Sequence, residues 1–121
     1  PDLARPSYVE RGEGFGLTAA AMSWFFGQYL DDPRQADDPR VAPLRAADLS
    51  GLPPGWLLTA EFDPLRDEGI ALARRLADSG VAVEHVHYAD ANHGILAWAG
   101  TNEPSDRAIG AACAWLKRHP G

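Results

Sequence analysis

Two residues of types that can share proton transfer stand thirty positions apart: Asp63, in Glu61-Phe62-Asp63-Pro64-Leu65-Arg66-Asp67-Glu68-Gly69, and His93, in Asn92-His93-Gly94. An imidazole acts as a general base when one ring nitrogen faces a nucleophile and the other donates to a carboxylate. The carboxylate fixes the tautomer and stabilises the imidazolium. Thirty positions hold about one helix and one strand, the connection that brings the ends of successive parallel strands side by side. The pair is two thirds of a Ser-His-Asp device.

The remaining third is not found. The serines lie in Pro6-Ser7-Tyr8, Met22-Ser23-Trp24, Leu49-Ser50-Gly51, Asp78-Ser79-Gly80 and Pro104-Ser105-Asp106, and none has glycines at both two-residue offsets, as a strained strand-to-helix elbow demands. No His-Gly-Gly loop is present to build an oxyanion hole.

Asp63 is the best placed acid because it leaves a predicted strand at its carboxyl end, whereas Asp67 and Glu68 fall a turn into the next helix and Glu61 within the strand. Plainer readings stand beside the catalytic one. An Asp before Pro at a helix start serves equally well as an N-cap, and a single loop histidine is more often only hydrogen-bonded. The pair together shifts the balance toward chemistry. His85 and His87 share a strand face and with His93 raise the idea of a metal site, but no carboxylate or thiolate completes a ligand set, and no metal is expected. Trp24, Phe25, Phe26 and Trp98 are all candidates to line an acyl pocket, with core packing expected for most of them; Trp98, close after His93, is the better pocket candidate, together with Ile95.

The elements that would position these groups can be read from periodicity. Residues 1–16 carry no sustained period and are expected to be irregular, either a loop or the tail of a missing element. Thr18 can cap a helix running to about Leu30, with Met22, Phe25, Phe26 and Tyr29 at helical spacing, and this helix needs a partner surface. From Asp31 to Pro54 prolines mark an irregular connection. Trp56 to Phe62 is nearly continuously apolar, as suits a strand covered on both faces of a parallel sheet. Pro64 opens a helix to Ser79 with Ile70, Ala73, Leu76 and Ala77 on its inner face and Arg66, Arg74, Arg75 and Asp78 outside; Gly80 ends it as a left-handed cap. Val81 to Tyr88 is the next strand, Ala89 to Asn102 a loop carrying His93, and a last helix from about Pro104 to Arg118 turns Ile109, Ala112, Cys113 and Leu116 inward. The fold class is therefore α/β, with parallel strands and crossover helices, and ligands in such sheets bind beyond the strands' carboxyl ends.

Bulk properties narrow the function classes. A chain of 121 residues can bury a modest core, and 45% hydrophobic with 23% charged residues is ordinary for a globular protein. The net charge of −6, without a Lys/Arg cluster, argues against nucleic acid as a partner. Cys113 alone forms neither a disulfide framework nor a redox pair and is expected as a small buried side chain. No apolar run approaches the roughly 18 residues of a membrane span. The chain begins at Pro1 without an initiator Met and reads as a cut start, so targeting information can be lost; a cytoplasmic location is the default expectation.

Leu17-Thr18 with Trp24 and Tyr29-Leu30, Asp38-Pro39-Arg40-Val41-Ala42-Pro43-Leu44, Leu52-Pro53-Pro54, the block Ala60 to Gly69, and His93-Gly94 together resemble the C-terminal half of an α/β-hydrolase of the fold-3, hormone-sensitive-lipase-like esterase family. The likeness runs over nearly the whole chain from Leu17 onward. It implies that residues 17–121 are the C-terminal portion of a single α/β-hydrolase domain. It further implies that Asp63 is the triad acid and His93 the triad base, and that the activity is hydrolysis of small carboxylic esters, with short or medium acyl chains, through an acyl-enzyme and without a cofactor. The family's Gly-Asp-Ser-Ala-Gly nucleophile and His-Gly-Gly-Gly oxyanion motifs are missing from this chain. Ile95 stands where the family often has Phe, and Ala42 where Ser is common, changes expected to affect the pocket wall and a loop hydrogen bond respectively.

Two rival readings follow. A hydrolase fold can lose catalysis and persist as a ligand-binding module, though a receptor has no need of the base. Alternatively, the piece persists alone as an incomplete fragment, inactive for want of a nucleophile and prone to self-association through an uncovered strand. Oligomeric state is not encoded in any feature of the sequence.

Overall fold

The computed structural model describes residues 3–120. In chain order its elements are α1 (Pro6–Arg11), α2 (Ala19–Tyr29), two 3-10 turns (Pro33–Asp37 and Pro43–Arg45), β1 (Gly55–Phe62), α3 (Arg66–Asp78), β2 (Val83–Asn92), a 3-10 turn (Ile95–Trp98) and α4 (Glu103–Arg118). Among the described residues no helix is long and apolar enough to cross a membrane.

β1 and β2 pair in parallel, from Gly55 opposite Val83 to Ala60 opposite Tyr88. One helix packs on each face. On one side Thr59 of β1 meets Gly69 of α3 so closely that a Cβ at Gly69 would lie 2.6 Å from the Thr59 methyl, which is why this helical position carries no side chain. On the other side Ala60, Tyr88, Ala91, Ile95 and Ala108 form the buried core, with Leu58 and Val86 packed against it. The small residues Ala60 and Ala108 let strand and helix approach, and burying such apolar surface stabilises by about 25 cal/mol per Å².

Several expectations are corrected. The segment 1–16, expected to be irregular, contains α1; Pro1 and Asp2 lie outside the described residues. α3 begins at Arg66 and not at Pro64, because the Asp63 carboxylate accepts the Leu65 N–H (2.8 Å) and the Asp63 carbonyl accepts the Arg66 N–H (3.1 Å), closing a turn ahead of the helix. β2 continues four residues past Tyr88. Between the pairs Ala60–Tyr88 and Phe62–Asn92, β1 advances two residues and β2 four, so β2 bulges.

Thr18 caps α2 as expected, its side chain accepting the Ala21 N–H at 3.0 Å. The aromatic face of α2 finds no cover among the described residues: Trp24 is 61% and Tyr29 71% exposed, and Phe25 is exposed too, against the expectation of core packing. α4 buries Ser105 and Ala108 near its start, but the stripe fades toward its end, leaving Cys113 and Leu116 exposed where burial was expected. On α3, Ala73 is buried as expected, but Ala77 is exposed. Two arginines of α3 are not solvated as expected. Arg66 is only 14% exposed, and the Arg75 guanidinium donates to the Leu44 and Ala46 carbonyls, tying the irregular connection to α3.

Candidate active site

Asp63 and His93 meet beyond the carboxyl ends of β1 and β2. The pair Phe62–Asn92 is the last of the ladder, so each candidate residue is one step past a paired position. His93 Nδ1 lies 2.9 Å from Asp63 Oδ2, while Asp63 Oδ1 is occupied by the Leu65 N–H. This carboxylate is therefore fixed at both oxygens. With Nδ1–H donating to Asp63, the neutral ring keeps its lone pair on Nε2, which has no hydrogen-bond partner among the described residues. The hydrogen bond to Asp63 raises the His93 pKa above its ordinary value, against the opposing effect of partial burial. Gly94 follows at φ +77°, a left-handed conformation that turns the chain away directly after the imidazole.

A cavity of about 850 Å³ reaches both residues. Met22, Phe26, Val41, Leu44, Ile95 and Leu96 give it an apolar wall, and among the described residues no serine lines it. Ile95 serves both the core and this wall, whereas Trp98, the other candidate pocket residue, is exposed and does not line the cavity. Ala42 lines the cavity as the N-cap of the turn Pro43–Arg45, which has no side-chain cap.

The histidines of β2 take another role. Thr59 Oγ1 sits between His85 Nε2 (2.9 Å) and His87 Nδ1 (3.0 Å), and His87 Nε2 faces Glu61 at 3.4 Å. Burial, ahead of the neighbouring His87 and Arg74, lowers the His85 pKa. Among the described residues no group of three or more His, Cys, Asp or Glu side chains gathers that could hold a metal ion.

A polar frame that the sequence did not single out surrounds the acid turn. Glu61 Oε1 receives both Arg11 (2.9 Å) and Arg66 (2.8 Å), and Arg66 also pairs with Asp67 and Glu10. Hydrogen bonding from Arg11 holds the Glu61 carboxyl below its usual range despite some burial. From α1, the fully buried Ser7 donates its hydroxyl to the Pro64 carbonyl at 2.7 Å, and its N–H donates to Asp67 Oδ2 at 2.9 Å. Its partners lie some sixty residues ahead, and the only local signal was an unexplained serine.

Parallel strands flanked by helices, with a carboxylate-braced histidine beyond their carboxyl ends, define an α/β hydrolase. The comparisons with known proteins agree. A family model for the alpha/beta hydrolase fold matches residues 2–97. The ethyl acetate hydrolase of Pseudomonas putida is 35% identical over 115 residues, covering 95% of this chain and 36% of that protein. The carboxylic ester hydrolase LipN of Mycobacterium tuberculosis is 44% identical over 101 residues, covering 76% of this chain and 27% of that protein. Among solved structures, a thermostable esterase from Pseudomonas putida superimposes with a TM-score of 0.91 at 37% identity, covering 97% of this chain and 38% of the other. The chain belongs to the α/β hydrolase fold family, in its fold-3, hormone-sensitive-lipase-like group. It spans little more than a third of the length of the ethyl acetate hydrolase.

Proposed function

We propose that this chain supplies the acid and the base of a serine carboxylesterase. The observation that carries the reading is the 2.9 Å contact between His93 Nδ1 and Asp63 Oδ2, with Nε2 left as the basic nitrogen. Residues 17–121 then form the C-terminal portion of one hydrolase domain, and the nucleophile is a serine outside the 121 residues. That serine attacks the ester carbonyl as His93 Nε2 takes its proton, and the imidazolium is held by Asp63. His93 next returns the proton to the departing alcohol, then deprotonates the water that cleaves the acyl-enzyme and hands that proton to the departing serine oxygen. No cofactor enters this scheme. The apolar cavity wall suits a small ester with an apolar acyl or alcohol group, and the chain by itself is inactive.

A serine-reactive fluorophosphonate applied to the complete protein tests this. The expected result is one labelled serine outside this chain, with labelling lost in His93→Ala. An unlabelled complete protein would favour the ligand-binding alternative.

A further inference from the structure

We propose that Ser7 is a positioning residue for Asp63, clamping the acid turn from the outside through α1. The inference rests on the reading of Asp63 and His93 as acid and base.

The geometry is specific. Ser7 is wholly buried, as is Pro64, the residue bonded directly to Asp63. Ser7 Oγ donates to the Pro64 carbonyl (2.7 Å) and accepts the Asp67 N–H (3.3 Å), while the Ser7 N–H donates to Asp67 Oδ2 (2.9 Å). Three hydrogen bonds from one residue thus span the turn from Pro64 to the first turn of α3. Inside that turn Asp63 spends Oδ1 on the Leu65 N–H and presents Oδ2 to His93. The orientation of Oδ2 therefore depends on where the Pro64 carbonyl and the start of α3 are held, and from α1 Ser7 grips both. A buried hydroxyl with these partners is costly to remove, because the Pro64 carbonyl and the Asp67 N–H lose a partner together. None of these contacts touches the cavity or a reacting atom, so Ser7 acts only through Asp63.

The experiment compares Ser7→Ala, Tyr8→Phe and Asp63→Asn in the complete protein. Tyr8→Phe deletes a neighbouring α1–α3 hydrogen bond, from the Tyr8 hydroxyl to Glu68 (3.3 Å), and leaves the three hydrogen bonds of Ser7 in place. Ser7→Ala is expected to lower kcat about tenfold with KM held within about twofold, as a misoriented catalytic group does. It is also expected to move the acid limb of the kcat/KM profile down by roughly half a pH unit as the Asp63–His93 bond loosens. Tyr8→Phe should leave both unchanged. Wild-type kcat and pH profile in folded Ser7→Ala, or the same loss in Tyr8→Phe, would overturn the clamp. Either result with an inactive Asp63→Asn removes the clamp alone, whereas an active Asp63→Asn removes the acid–base reading beneath it. If Ser7→Ala does not yield soluble protein, Ser7→Cys, which keeps the buried volume but donates weakly, carries the same comparison.

Discussion

Phe62 pairs with Asn92 although a straight ladder continued from Ala60 and Tyr88 would set Phe62 opposite Asp90. In the straight register Ala91 would stand opposite Asp63. Two extra residues in β2 bring His93 there instead. Bulges near catalytic sites re-aim side chains in this way, and here the consequence is the 2.9 Å contact on which the proposed chemistry depends.

If that contact works as acid and base, its two members are not interchangeable with their neighbours. In the complete protein, Asp63→Asn should leave the fold intact and lower kcat by about four orders of magnitude, because the amide favours the wrong imidazole tautomer. His93→Ala should cost at least as much. Steady-state ester hydrolysis, with circular dichroism to confirm folding, checks both; near-wild-type turnover in either rejects the assignment.

The pH dependence has a definite sign. Hydrogen bonding to Asp63 raises the His93 pKa, and the free base is the active form, so kcat/KM rises with pH through a midpoint above the ordinary histidine value of about 6.5. The same linkage makes this contact's contribution to stability full below that ordinary value, with loss as pH rises through the raised pKa. His93 is 41% exposed, so the stability effect is small and the rate profile is the better probe. In Asp63→Asn the residual activity should titrate nearer 6.5. An unchanged midpoint would show that Asp63 does not set the base.

What the sequence disclosed and what it hid divide along one physical line. The turns that carry Asp63 and His93 were legible because local chemistry marks them: Pro64 and Gly94 punctuate the chain beside each, and the Gly80 turn with φ +79° separates α3 from β2 as expected. The features that escaped depend on distant partners. α1 is six residues long and is held by contacts of Ser7 and Tyr8 with α3, not by a period of its own. Arg66 pairs with the nearby Glu61 and Asp67, but its bond to Glu10, 56 positions away, has no local signal. Ala89 to Asn92 is small and polar enough to pass for a loop, and only its pairing with β1 makes it strand.

Gly69 offers a test of the packing that supports the acid turn. Any Cβ there would enter the space of the Thr59 methyl, at 2.6 Å, within a sheet face that also holds His85 and His87. Gly69→Ala would gain helix propensity but must displace Thr59. Overpacking of this kind costs about 1–3 kcal/mol and outweighs a propensity gain of about 1 kcal/mol. Urea unfolding of the complete protein should show a lower midpoint with an unchanged slope; a higher midpoint would mean that the strand yields freely.

The chain expressed alone should self-associate. Among the described residues β1 pairs only with β2, leaving its other edge without a neighbouring strand, and on α2 Trp24, Phe25 and Tyr29 present an uncovered aromatic face. Unpaired strand edges template association with other chains, and contiguous exposed apolar surface drives it further. Light scattering across a concentration series should therefore report growing mass, and substituting Trp24 and Phe25 with Ser should reduce it without abolishing it, since the strand edge remains. A monodisperse monomer with a cooperative melt would show instead that 121 residues suffice to bury what this portion of the fold exposes.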